Sequence, residues 1–416
     1  MKKIIVSHPT SNQNNRAVLK GLFDANRLSG FYTSIATFPN DFFDKLSNIG
    51  PFRQIGRRRF VNELKTLTHA HPFNEMIRLV ALKLKMKSLT KHETGKFSVD
   101  AIYHNIDKKL ATQIKKESKK NLGAIYAYED GAYFSFLEAK KYGIKCIYDL
   151  PIAYWETGKN LMKEEFERLP DWADTIKSGL SDSQEKLIRK ENELKLADVI
   201  VVPSQFVKDS IPSWAQNKQI IMTPFGSPEP NVSNSIKPEK QNNSKPLRIL
   251  FVGSMSQRKG LGDLFNAMNI VDSSKVELVV LGSLRAPFDF YKSKIKRGFT
   301  HEKGRPHSEV LELMKTCDVF CLPSIVEGRA LVMQEAMSQG LPLIITPNTG
   351  GEDLIKEGQT GFLVPIRSPE VIAEKINWFL NNRSEIPNMG MMAQKHASKY
   401  TWKNYSDNIV NALTDL

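Results

Sequence analysis

Short apolar runs rich in β-branched residues recur along the chain, each followed by polar punctuation and a helical stretch. One series is KIIVSHP (3–9), FYTSIATF (31–38), AIYHN (101–105), AIYAYED (124–130), CIYDLPI (146–152), VIVVPS (199–204) and IIMTPFG (220–226). A second is RILFVGS (248–254), ELVVLGS (277–283), DVFCLPS (318–324) and LIITPN (343–348). Near-continuous apolar strands alternating with helices predict parallel sheets buried on both faces. Between the series lies SPEPNVSNSIKPEKQNNSKP (227–246), whose only large apolar residues are Val232 and Ile236. That is linker composition. The reading is α/β, with two doubly wound, Rossmann-like domains facing across a cleft: 1–226, a linker 227–246, and 247–385. Helices in 386–416 follow, the last crossing back to the first domain. A length of 416 residues suits two cores better than one. Ligands of such sheets bind beyond the carboxyl ends of the strands.

Charge is segregated. Residues 1–125 hold 23 Lys/Arg against 9 Asp/Glu, so the whole formal excess of +14 lies in the first third. FRQIGRRRF (52–60) and FNEMIRLVALKLKMKSLTKH (73–92) are the densest stretches. In the second, Met76, Ile77, Val80, Leu84 and Leu89 alternate with Arg78, Lys83, Lys85, Lys87 and Lys91. A basic amphipathic segment of this kind reads as an anionic membrane surface over 52–92 or as an ordinary solvated helix face. Nucleic acid is the other polyanion such charge admits, but the regular aromatic interleaving of a base-stacking platform is missing, and none is expected. Three cysteines are too few for a disulfide framework. No apolar run reaches 18 residues, and the N-terminus lacks a secretory core, so a cytoplasmic, peripheral protein is expected.

The second series carries the chemistry. FVGSMSQRKGLGDLF (251–265) offers a strand, Gly253, and then Arg258-Lys259-Gly260 leading into a helix. An Arg-Lys pair beside a helix N-terminus suits a diphosphate. VEGRALVMQEAM (326–337) follows the next strand with Glu327 at the mouth of an expected helix and Glu335 farther along it. A carboxylate accepts two hydrogen bonds from a vicinal diol, the group on a ribose and a hexose. The alternative is that both are helix surface charges. TPNTGGEDL (346–354) repeats the device, with Gly350-Gly351 before an expected helix start at Glu352-Asp353.

EGRALVMQEAMSQGLPLIITPNTGGEDLI and FVGSMSQRKG resemble the donor-site signature of retaining family 4 glycosyltransferases of the GT-B type, and IIMTPFG resembles their domain junction. The resemblance implies a hexosyltransferase type of enzyme, with a nucleotide-sugar donor (UDP-sugar favoured) and a glycan or lipid-linked glycan acceptor. It implies that Glu327 contacts the donor sugar, Glu335 the ribose, and Arg258 and Lys259 the diphosphate. Amides at Gly328, Arg329, Gly350 and Gly351 would face the donor. No Asp-x-Asp triplet occurs in the chain, so neither metal nor other cofactor is expected.

The first domain departs from that pattern. HPTSNQNNRA (8–17) has no glycine where the family has a glycine-rich loop. Asn12, Asn15 and Arg16 either hold a phosphate or acceptor hydroxyls, or belong to a loop whose Asn14 or Asn15 caps the following helix. Asp149 stands where the family often has a histidine, and either positions a substrate or belongs to a turn. Glu129, Asp130 and His8 are competing strand-end candidates. A sugar-nucleotide epimerase or phosphorylase, a silent transferase-like partner subunit and a nucleic-acid binder remain as alternatives at this point.

Overall fold

The computed structural model describes residues 2–228 and 245–414, so most of the expected linker lies outside the described residues. Seven strands build the first sheet: Lys3–Ser7 (β1), Leu28–Thr33 (β2), Thr68–Ala70 (β3), Leu122–Tyr128 (β4), Lys145–Asp149 (β5), Val199–Val202 (β6) and Gln219–Met222 (β7). Six build the second: Leu247–Val252 (β8), Val276–Leu281 (β9), Thr300–Glu302 (β10), Val319–Leu322 (β11), Leu343–Ile345 (β12) and Gly361–Leu363 (β13). Their orders are β3-β2-β1-β4-β5-β6-β7 and β10-β9-β8-β11-β12-β13. Every pairing is parallel. Side chains of the central strands are buried on both faces, which is why these runs are apolar without alternation.

Because strands of one sheet run the same way, all their carboxyl ends open on one side. The last helix, Trp402–Ala412, leaves the second domain and packs on the first-domain helix Gln13–Asp24, where Gly21 lies against Ser406. Arg27 Nη1 donates to Leu413 O at 2.7 Å to fasten its end.

Four local expectations give way. AIYHN is helical, inside Val99–Glu117: Ser98 caps it through Ala101 N–H, and Ile102, Ile106, Leu110 and Ile114 are buried at helical spacing. The helix expected from Glu327 begins only at Leu331; the Gly328 carbonyl, which such a helix would use as an acceptor, is taken by Ser204 Oγ. Glu352-Asp353 open a single 3₁₀ turn, not a longer helix. The basic helix stops at Lys83 and the chain reverses at Lys85, whose φ is 55°.

Candidate active site

β8 ends at Val252, and the chain passes Gly253 into the 3₁₀ turn Gln257–Lys259. Gly260 closes that turn at φ 71°, and a Cβ there would stand 1.9 Å from Pro323 O, so only glycine fits. The Arg258 carbonyl accepts from Ile325 N–H at 2.9 Å and Val326 N–H at 3.3 Å, lacing this turn to the loop after β11. That loop carries Glu327. Its Oε1 lies 2.5 Å from Lys259 Nζ and 2.7 Å from Arg258 Nη1. Both are ion pairs, and Lys259 is hydrogen-bonded to the carboxylate as well. Burial lowers the Lys259 pKa, Glu327 opposes that shift, and Arg258 adds to it. Two cations and one carboxylate thus share the mouth of β8 and β11, with a net positive charge that suits a polyanion.

Glu335 lies within the helix Leu331–Ser338, and its Oε1 meets His307 Nε2 at 3.0 Å. The sequence reading did not single out His307. Gly328 sits where the two domains meet: a Cβ would stand 1.7 Å from Pro151 O, just past β5. Ser204 Oγ donates to Gly328 O at 2.6 Å from the end of β6. Gly350, at φ 75°, packs against Gly328 O, and Gly351 packs against Met333. Arg329 turns its buried side chain away from the Arg258-Lys259-Glu327 cluster. It donates to Asp353 at 2.6 and 3.1 Å, to Gly350 O at 3.0 Å and to Gln334 Oε1 at 2.8 Å. Gln334 in turn donates to Phe225 O and Ser227 Oγ, at the exit from the first domain. The guanidinium is therefore a tie between the loop and the domain junction.

In the first domain, His8, just past β1, is fully buried, and its Nδ1 accepts from Ser11 N–H at 2.7 Å and Thr10 N–H at 3.2 Å. Burial pushes its pKa down to about 3, and the Arg58 charge adds to this, so it stays neutral near pH 7. The helix Gln13–Asp24 is capped by Asn12, not by Asn14 or Asn15. Asn15 Oδ1 accepts from Ser11 Oγ, and Arg16 donates to Arg57 O. Glu129 pairs with Lys190 at 2.8 Å, and Asp130 with Arg189 at 3.0 Å and Lys190 at 3.2 Å, so both carboxylates are engaged within their own domain. Asp149, at the end of β5, differs: it is fully buried beside the Tyr126 hydroxyl, with no cation paired to it among the described residues. Burial raises its pKa to about 7, the Tyr126 hydroxyl pulls against that rise, and the Glu129 charge adds to it. Tyr405 of the last helix lies close enough to feel its charge.

Arg258 and Val326 face Glu129, Ile152, Trp155 and Lys190 across a cavity of about 230 Å³ between the domains. Arg258, which holds Glu327, and the ends of β4 and β5 therefore open on a common space. Sequence patterns brought out both sides of it. They missed Gln257, Thr175, Glu165 and Asp263 behind the cationic turn, because those partners lie 82 to 92 residues apart or look like ordinary helix charges.

Residues 232–396 match the family model for glycosyl transferases group 1. The D-inositol 3-phosphate glycosyltransferase of Corynebacterium urealyticum is 30% identical over 122 residues, 29% of this chain and 29% of that protein. The sulfoquinovosyl transferase SQD2 of Arabidopsis thaliana is 27% identical over 237 residues, 52% of this chain and 44% of that protein. The chain thus spans less than half the length of either relative. The structure of Anabaena Alr3699/HepE in complex with UDP is similar over 100% of both chains, with a TM-score of 0.60 and 15% identity. The fold is GT-B, and most of the residues similar to group 1 glycosyl transferases lie in the second domain.

Proposed function

We propose that this protein is a retaining glycosyltransferase of family 4 type that moves a sugar from a UDP-sugar to a glycan or lipid-linked glycan during surface polysaccharide synthesis. The observation that carries the reading is the cluster of Arg258, Lys259 and Glu327 at adjoining strand ends, opening toward the first domain. An arriving diphosphate offers Arg258 and Lys259 a stronger anionic partner and leaves Glu327 to accept hydroxyls of the donor sugar. Glu335, steadied by His307, accepts from the ribose. The two cations stabilise the diphosphate as the sugar–oxygen bond breaks. The acceptor hydroxyl attacks from the same face and passes its proton to a departing phosphate oxygen, so no metal and no obligatory side-chain base are required. Asp149 and the buried polar groups around Asn15 belong to the acceptor side. The UDP of the structurally similar Anabaena protein favours uridine among the bases.

The same reading places the enzyme on the inner face of an anionic plasma membrane. No helix among the described residues is long and apolar enough to cross a bilayer. Phe42 and Phe73 are 72% and 73% exposed, and Ile49, Val61, Leu82, Leu84 and Met86 of the same domain are exposed too. Arg53, Arg57, Lys83, Lys85 and Lys87 lie among these residues in sequence.

A thermal-shift panel of UDP, GDP, ADP and their sugar conjugates tests the donor site. Ligand at ~100 times its dissociation constant adds about 2.7 kcal/mol. A shift with UDP compounds that Glu335→Ala reduces is expected. No shift with any nucleotide would sink the transferase reading.

A further inference from the structure

The turn that presents Arg258 and Lys259 is gripped from behind by a piece of the other domain. After β5 the chain forms the helix Trp155–Arg168 and the turn Pro170–Thr175. This stretch precedes β6 of the first sheet, yet Trp172 is buried in the second domain's core, its ring 5.1 Å from Phe290, 5.7 Å from Phe265 and 5.8 Å from Tyr291. Beside it, Arg168 forks onto Asp263 with two bonds of 2.8 Å and also donates to Glu165. Arg367 donates to Glu165 from the other side at 2.5 Å. Glu165, Asp263 and Gln257 are all fully buried.

Gln257 is the centre of this strap, with all four of its hydrogen-bonding groups engaged. Its Nε2 donates to Glu165 Oε2 and Asp263 Oδ2, both at 2.7 Å. Oε1 accepts from Gly262 N–H at 2.9 Å. The backbone N–H donates to Thr175 Oγ1 at 3.1 Å, and the carbonyl accepts from Gly260 N–H at 2.8 Å. Arg258 is the next residue. Two buried carboxylates demand a donor here, and leaving either short of its bonds is costly. The backbone leading into the cationic pair is therefore set by groups from both domains.

We propose that Gln257, held by Thr175, Glu165 and Asp263, is a positioning residue that fixes Arg258 and Lys259 for the diphosphate; its link to the donor rests on the proposed transferase reading. The contacts place the segment 155–176 with the donor domain, so a stretch that precedes β6 of the first sheet braces the cationic turn.

The test uses the full chain with Gln257→Met, which keeps length and removes the side-chain bonds. Thr175→Val, which removes the bond to the Gln257 amide together with the one that Thr175 Oγ1 donates to the Trp172 carbonyl, serves if the first variant fails to fold. UDP affinity is measured by calorimetry, and hydrogen exchange of residues 254–261 in the unliganded protein. UDP binding is expected to weaken about tenfold or more, with faster exchange confined to 254–261. Wild-type UDP affinity in Gln257→Met overturns the proposal, even if the melting temperature falls. If the wild-type chain binds no nucleotide, the transferase reading fails, and exchange alone decides the positioning role: faster exchange at 254–261 supports it and unchanged exchange overturns it.

Discussion

Asp149 is a carboxyl that the fold keeps from water. Its folded pKa of about 7 lies above the ordinary 3.8, so the folded state binds the proton more tightly. Stability from this group is present at acid pH and is lost as pH rises from about 4 through 7. The full loss is on the order of 4 kcal/mol, because each pKa unit corresponds to about 1.4 kcal/mol. Asp149→Asn is therefore expected to be more stable than the wild-type chain at pH 8 and to lose that advantage at pH 4, read by urea unfolding at both values. Lys259 shifts the other way. Burial lowers its pKa from 10.5, so the unliganded protein loses this charge at a less alkaline pH than a free lysine does. UDP affinity should fall on the alkaline side starting below that value, and in Lys259→Arg the fall should vanish, because a guanidinium keeps its proton. Calorimetric titrations across pH check this; a flat wild-type profile would remove Lys259 from the phosphate site. Glu335→Ala removes a charged acceptor worth roughly 2 kcal/mol, about thirtyfold in nucleotide affinity.

At the scale of elements, the turns of the second domain were legible because their chemistry is local. Gly260 needs its positive φ and its contact with Pro323 O whatever the rest of the chain does, and QRKG displays that need in four letters. Gly260→Ala is expected to cost at least about 1 kcal/mol of stability and to weaken UDP binding by displacing Arg258 and Lys259. Equilibrium unfolding and calorimetry would show the two losses together; stability lost with affinity intact would mean that the turn does not set the phosphate contact. The less legible features depend on distant partners. AIYHN looks like a strand because Ile102 and Tyr103, both strand formers, are adjacent, and only Ser98 before it and Ile106, Leu110 and Ile114 after it reveal a helix. β3, β10 and β13 are three residues each, too short for any periodicity to show. Arg329 stands in the middle of the donor motif, yet its side chain serves Asp353 and Gln334, a role set by how the loop after β12 folds back. Glu129 and Asp130 resemble strand-end catalysts until Arg189 and Lys190 come up from the helix Gln184–Leu196 to neutralise them.

For the whole molecule, the segregation of charge acquires a geometry. A groove of about 640 Å³ at the end of β3 is lined by Phe42, Phe43, His71, Phe73 and Met76, with Lys109 at its side. The exposed apolar residues and the basic residues of 52–92 therefore share the first domain, the side on which the acceptor is proposed to bind. Attraction to anionic lipid is roughly 1 kcal/mol per basic residue near the surface, and burying a phenylalanine contributes about 1.5–3 kcal/mol. Three lysines and two phenylalanines thus bring comparable energies, and the two kinds can be separated by salt, which screens only the first. Lys83→Glu/Lys85→Glu/Lys87→Glu is expected to abolish sedimentation with phosphatidylglycerol-containing vesicles at physiological ionic strength. Phe42→Ser/Phe73→Ser should weaken it at least tenfold at every salt concentration, while both variants keep wild-type UDP affinity because neither touches the second domain. Unchanged vesicle binding in both would mean that this patch is a solvated surface and that the membrane contact lies on another part of the molecule.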